Sequence, residues 1–321
     1  MKVIKEKQEM RSWSRAMRKA GNRVALVPTM GFLHSGHLAL VEEAKKHAQH
    51  VVVSIYVNPG QFAPNEDFGS YPRDIDGDLQ KLQPFGVDAI FNPFDLYERH
   101  SRLNTSANGI AGSHDTKGFL QSDDSTLCED DTYGQEHETW IQVEKLSKPL
   151  CGQNRPIFFR GVATVVAKLF NIVEPDVAIF GKKDFQQWRV ICRMVRDLDF
   201  AVDIVGCPIA RDFDGIAMSS RNVHLSPTDR CQALSISRSL REAAESVTEC
   251  EVSAQLLVEH VRKAITAAGG KIDYASIVDQ ETLKDVREIR APVVFAVAAW
   301  FGGVRLLDNI ELQPPQSLLE S

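Results

Sequence analysis

The sequence has no long hydrophobic run, no paired cysteines and no excess of basic charge, and each absence narrows the possibilities. The longest apolar stretch, Ala291 to Val304, is broken by nothing stronger than Pro292 and two glycines. It ends at Arg305 and falls short of the roughly 18 residues that a membrane-spanning helix needs. Met1 to Arg23 mixes charges of both signs and offers no apolar core for a signal peptide. The six cysteines, at positions 128, 151, 192, 207, 231 and 250, include no CxxC pair. That usage points to reduced thiols in a reducing compartment, by default the cytosol, and away from a disulfide framework or a zinc site. Lys plus Arg total 37 against 43 Asp plus Glu, a formal net charge of -6. A mildly acidic chain is poorly suited to nucleic-acid phosphates unless it carries a local basic patch. No internal repeat at solenoid spacing is present.

What remains is ordinary globular material: 43% hydrophobic and 25% charged residues in 321. That length fits one large domain or two unequal ones. Met1 to Ala20 reads as an amphipathic helix. Val24 to Val27 is a short unbroken apolar run, followed by the turn Pro28–Gly31 and a helical pattern through Leu38, Leu40, Val41 and Ala44. A second apolar run, Val51 to Val57, stops at Asn58-Pro59-Gly60. Buried parallel strands take this form, and alternation with helices predicts a doubly wound α/β sheet. The theme continues with strands at Asp88–Phe91, Val177–Phe180 and Val202–Val205, and helices at Val162–Val173 and Phe185–Asp197. Past Cys207-Pro208 the character changes. Two helical patterns and strands at Lys271–Val278, Val293–Trp300 and Val304–Leu307 predict a smaller α+β domain. The division is therefore residues 1–207 and 208–321. His100 to Thr139 is rich in Ser, Asn, Gly, Asp and Glu and cannot bury enough surface to offset its ordering entropy. It reads as an inserted mobile loop without catalytic residues, leading into an apolar strand pattern at Glu138 to Val143.

Four turns carry the chemistry. Met30, Gly31, His34, Gly36 and His37 lie between a strand and the helix that follows it. At that place free N–H groups and the positive end of a helix suit a phosphate. The two histidines, spaced i, i+3, can donate to phosphoryl oxygens as charge develops. A helix cap beside a surface histidine, or a metal pair, would give the same spacing. Gly181, Lys182, Lys183, Asp184 and Gln187 open a second helix after a strand. A lysine there is a point charge for phosphates. Asp184 is either a ribose ligand or a cap, and Gln187 offers both donors and acceptors. Met218, Ser219, Ser220 and Arg221 set small hydroxyls beside a guanidinium, as pyrophosphate recognition requires, although a solvated loop would look alike. Asn58 and Gln61 follow the second strand. Together the four predict one nucleotide site.

These blocks, with Phe159-Arg160-Gly161-Val162, resemble the pantothenate synthetase (pantoate–β-alanine ligase) family from Val24 to about Asn309. HxGH alone is shared by many nucleotidyl transferases. The resemblance implies an ATP- and magnesium-dependent ligase with a Rossmann domain, a smaller C-terminal lid and a dimeric assembly. In such an enzyme the pantoate carboxylate attacks the α-phosphorus of ATP, and the amine of β-alanine then attacks the pantoyl adenylate to give pantothenate and AMP. It further implies that Met30 to His37 line the ATP site, with His37 as proton donor and His34 and Lys183 beside it as catalytic groups. Gly181 to Asp184 and Met218 to Arg221 contact ATP, with a backbone contact to adenine at Ala210. Gln61, Gln187, Asn58 and Arg155 face pantoate or β-alanine. Asp78 stands where the family has acidic residues near magnesium. No nucleic acid or membrane partner is implied. The chain departs from the commoner pattern at Cys151-Gly152, where many members have an acidic residue before the glycine. It departs again at Ile157-Phe158, where they have Gly-His, and in a longer loop. These traits resemble the plant-type branch. A nucleotidyl transferase acting on a phosphate and a nucleotide-binding regulatory protein are the alternatives. A class I aminoacyl-tRNA synthetase is disfavoured by the acidic charge and the lack of an anticodon-binding domain.

Overall fold

Short apolar runs become the strands of a parallel sheet, because helices on both faces leave them no contact with water. The structure, a computed structural model, describes residues 1–64, 66–97, 137–248 and 252–315. Met1–Phe94 and Trp140–Ser321 form one compact unit, and Asp95–Thr139 a second. In the second, the described rings of Tyr97 and His137 meet edge to face at 4.7 Å. The insert expected at His100 to Thr139 lies outside the described residues except for its last three.

The six strands are β1 (Lys2–Ile4), β2 (Val24–Thr29), β3 (His50–Ile55), β4 (Ala89–Phe91), β5 (Val177–Gly181) and β6 (Asp203–Cys207). Their order is β1-β4-β3-β2-β5-β6, with every pairing parallel. The chain runs outward from β2 through β3 to β4, then returns to the other side of β2 as β5 and β6. The crevice between β2 and β5 is thus the topological switch point, where open α/β sheets bind ligands. Helices α1 (Lys7–Lys19), α2 (Ser35–His47), α3 (Ile75–Leu82), the single turn α4 (Cys151–Asn154), α5 (Phe158–Val173) and α6 (Phe185–Asp197) surround it. Val41 and Ala44 of α2 and Leu82 of α3 pack on Ala25, Val27, Val53 and Ile179 on one face. Helices α1 and α6 both pack against α5 on the other.

The C-terminal part contains α7 (Pro227–Thr248), α8 (Ala254–Ala267) and an antiparallel sheet of β7 (Lys271–Asp279), β8 (Val293–Phe301) and β9 (Val304–Leu312). One face of that sheet buries Phe295, Val297 and Leu306 against Ile236, Leu240 and Val261 of the two helices. The other sets Val294 and Ala296 against Phe159, Phe185 and Val190 of the first layer.

Two local expectations need correction. Met1 to Ala20 is not one helix: Lys2–Ile4 pairs with β4 before α1 begins at Lys7. A strand of three residues is too short to show a period of its own. Glu138 to Val143 is not a strand. Its Ile141 N–H donates to Thr164 Oγ1 on α5 at 3.0 Å, and the Arg160 guanidinium lies 4.6 Å from the Trp140 ring centre. Helix α5 therefore supplies the partners that a neighbouring strand would have supplied.

Candidate active site

The strand ends at the switch point open into a cleft of about 870 Å³. Of the residues expected there, Met30, His34, Gly36, His37, Asn58, Gln61, Arg155, Gly181, Lys183, Asp184, Gln187, Ala210 and Met218 to Arg221 line it. Gly31, Lys182 and Asp78 do not.

The first turn is shaped by Gly31 and Asp78. Gly31 has φ +83°, and a Cβ there would meet Ile55 at 3.0 Å and Asp78 at 3.1 Å; Phe32 follows with φ 51°. The buried Asp78 carboxylate accepts the amides of Phe32 at 2.7 Å and Leu33 at 2.6 Å. Burial pushes its pKa up, while those two amides oppose the shift. Expected near magnesium, Asp78 instead gives both oxygens to the backbone and holds the turn.

Helix α2 starts at that turn with an unusual reciprocal cap. His34 Nδ1 accepts the Gly36 amide at 3.2 Å, and His37 Nδ1 accepts the His34 amide at 3.3 Å. The rings lie 4.0 Å apart between centres. Accepting at Nδ1 fixes the tautomer: the ring proton of each sits on Nε2. Desolvation, then the Lys183 ammonium, lowers the His34 pKa to about 4. Desolvation, then His34, holds His37 well below the usual histidine range. Both rings are therefore neutral N–H donors at pH 7. Capping and phosphate donation, alternatives in the sequence, are compatible here because they use different nitrogens. Gly36 is required for the stack, since a Cβ would lie 2.9 Å from the His34 ring and 3.3 Å from Ala210.

The two lysines of the second turn part company. Lys182 pairs with Glu311 of β9 at 2.8 Å and lies 5.0 Å from the Trp188 ring centre. Lys183 lines the cleft, is 3.5 Å from Asp184, and adds to the field on both histidines. Of the neighbouring glutamines, both of which line the cleft, Gln186 has its amide committed to Leu146 O, Pro149 O and Cys151 N. Gln187 faces the cleft.

At the opposite wall Asn58 Nδ2 donates to Gln61 Oε1 at 2.9 Å and to Gly161 O at 3.2 Å. Gln61 Nε2 reaches Met30 Sδ at 3.3 Å. Gly161 permits this approach, because a Cβ there would stand 1.8 Å from Gly60 O. Arg155, expected on substrate, grips Glu66 at 2.7 and 2.6 Å and donates to Gln61 O at 3.2 Å. Its guanidinium sits 3.8 Å from the Phe158 ring centre, so the phenylalanine that departs from the family pattern supports the arginine by cation–π contact. Arg221 is likewise held by Asp67 at 2.7 and 2.9 Å; that bond keeps the Asp67 carboxyl below its usual range. Ser220 Oγ donates to Phe32 O at 3.1 Å, and Ser219 caps its own short turn. The third loop thereby closes onto the first.

Residues that sequence reading missed come from β7 and β9. Tyr274 OH lies 3.3 Å from Cys151 Sγ, and Arg305 is 3.5 Å from the same sulfur while paired with Asp273. Burial pushes the Tyr274 phenol well up. Asp308 receives two bonds from Arg211, at 2.7 and 2.9 Å. Buried polar side chains in a strand carry no local motif, so only the apolar part of β9 stood out.

A family model described as pantoate-beta-alanine ligase matches residues 2–311. A pantoate–beta-alanine ligase of Lotus japonicus is 55% identical over 97% of this chain and 98% of its own. The crystal structure of pantoate-beta-alanine ligase (pantothenate synthetase) from Thermus thermophilus is similar with TM-score 0.82 and 38% identity, covering 98% of this chain and all of the other. That of the Francisella tularensis ligase, complexed with beta-gamma ATP and beta-alanine, has TM-score 0.71 and 29% identity over 97% of each chain.

Proposed function

This chain belongs to the pantoate–β-alanine ligase family, and we propose that its cleft forms pantothenate in two steps with the residue roles that follow. It is an ATP-using enzyme that joins pantoate to β-alanine. In the first step a carboxylate oxygen of pantoate bonds to the α-phosphorus of ATP and the bond to the β-phosphate oxygen breaks. Diphosphate leaves with the charge that develops. The Nε2–H groups of His34 and His37 and the Lys183 ammonium receive that charge, in a site where preorganised donors are worth most. Neutral rings suit this role, since they donate hydrogen bonds without the cost of burying two further cations beside Lys183. In the second step the β-alanine nitrogen bonds to the acyl carbon, AMP leaves with the bonding pair, and the nitrogen gives up a proton.

Gln61, held by Asn58 and Met30, keeps one N–H and one lone pair for pantoate, and Gln187 faces the same space. Arg155 and Arg221, assigned to ligands by sequence, act in this reading by fixing Gln61 and the third loop. Gly181, Ala210 and Met218 offer backbone to the nucleotide. Magnesium fits as a companion of the triphosphate: among the described residues no three His, Cys, Asp or Glu gather as a cage, and Mg²⁺ is commonly held by substrate phosphates with one or two carboxylates. Asp184, which lines the cleft beside Lys183, would be its carboxylate ligand. Residues 1–207 carry ATP and pantoate, and residues 208–321 close over them as a lid. Among the described residues no helix is long and apolar enough to cross a membrane. The free thiols at Cys151, Cys192, Cys207 and Cys231 suit the cytosol.

The observation that carries this reading is the pair of histidine rings, 4.0 Å apart between centres, that cap α2 through Nδ1 and line the cleft with Lys183 at the switch point. Pantoate-dependent ATP–pyrophosphate exchange tests it. Exchange should require pantoate and proceed without β-alanine. Exchange driven by a phosphate-bearing acceptor, and not by pantoate, would assign the site to a nucleotidyl transferase.

A further inference from the structure

Strand β9 reaches the phosphate turn through one face. Residues alternate along it, so Arg305, Leu307, Asn309 and Glu311 share the side turned toward the first layer. Arg305 meets Cys151, Leu307 joins the cluster around Phe185, and Glu311 takes Lys182. Asn309 is 4% exposed. Its Nδ2 donates to Lys182 O and to Lys183 O, each at 2.9 Å. Both partners are carbonyls, so the amide nitrogen must face them, and one side chain spends both of its N–H groups on two consecutive peptides. Those peptides carry the two lysines whose side chains diverge, one to Glu311 and one into the cleft. From the other face of the same strand, the buried Asp308 holds Arg211, next to Ala210. Asn309 lines the cleft beside that turn with both of its N–H groups committed, and so sets the register of the turn.

We propose that Asn309 is a positioning residue for adenylation: by pinning the Lys182 and Lys183 carbonyls it directs Lys182 to Glu311 and Lys183 toward the paired histidines, which makes the C-terminal sheet part of the phosphate site. This inference rests on the role given above to Lys183. Asn309→Asp keeps the size of the side chain and replaces the donor with an acceptor that both carbonyls repel. It should slow pantoate-dependent ATP–pyrophosphate exchange about tenfold at saturating ATP, the loss expected for two buried hydrogen bonds reported through one charged group.

A double-mutant cycle separates positioning from general damage. On a Lys183→Ala background the same change should cost less than about twofold, because the group it positions is gone. Lys182→Ala should be mild, since that side chain is spent on Glu311. Should Asn309→Asp not fold, Asn309→Ser keeps a donor on a shorter arm and takes its place in the cycle, with the same non-additivity at smaller size. A loss that multiplies in full on the Lys183→Ala background, or wild-type exchange in Asn309→Asp, overturns the inference and leaves the proposed function standing. Wild-type exchange in Lys183→Ala overturns both.

Discussion

At the scale of single residues, the histidine pair shows how one side chain serves fold and chemistry together. Each ring caps a backbone amide with Nδ1, and that bond presents the opposite nitrogen as a donor. His37→Ala should therefore slow adenylate formation in single turnover by about a hundredfold, the usual cost of a lost electrostatic donor, while ATP binding weakens less. Near-normal adenylation in that variant would remove His37 from the mechanism. The depressed pKa values also set a pH dependence. Between about 4 and 6.5 the unfolded chain binds a proton at His34 that the folded chain refuses. By linkage the folded state is favoured fully above 6.5 and loses that share of stability as pH falls toward 4. Thermal unfolding followed from about pH 7.5 to about pH 5 should show a decline that is smaller in His34→Gln. The exchange rate of the native enzyme should stay flat across neutral pH. A histidine inflection in that rate near 6.5, the ordinary histidine value, would contradict neutral rings.

At the scale of elements, turns after strands were legible because glycines, histidines and lysines cluster there in short motifs. The elements that aim those turns were not. Helix α3, Ile75–Leu82, escaped notice because it is only eight residues long, barely two turns, yet it delivers Asp78 to the first turn from 45 residues away. The acid was visible in the sequence, but not the amides it receives. Asp78→Asn tests the clamp: an amide NH₂ must face one backbone N–H, so at least one bond is lost. Charged hydrogen bonds contribute about 1.5–3 kcal/mol each, and the variant should lose about 2 kcal/mol of stability in denaturant unfolding. Exchange should fall with it even where the protein stays folded, and added magnesium should not restore it. Restoration by magnesium would return Asp78 to the metal.

At the scale of the whole molecule, the doubly wound sheet could be read from unbroken apolar runs, but the strand order that puts the switch point between β2 and β5 could not. The C-terminal sheet could be read as a sheet but not as a wall of the site. Its contributions, Asp308 and Asn309, are isolated polar residues beyond the apolar part of β9. The segment from Trp140 to Val143 shows the converse: a strand-like pattern that forms no strand within one chain. Trp140, Ile141 and Val143 are each only part-buried, although Val143 packs against the cluster that holds Phe159 and Phe185. Apolar side chains left part-covered along an extended segment invite a partner, and two-fold symmetry would let the same segment serve both copies. We therefore expect a homodimer that buries Trp140 to Val143. In sedimentation at micromolar concentration the protein should run as two chains. Ile141→Lys should shift it toward one chain while each chain still folds, since Ile141 does not belong to the fully buried core. Deleting residues 105–130 should leave both the dimer and pantoate-dependent exchange in place, because every residue assigned to the reaction lies outside them. A single-chain species in the unaltered protein would sink the assembly. A folded deletion variant without exchange would mean that the deleted stretch supplies a contact to the reacting groups.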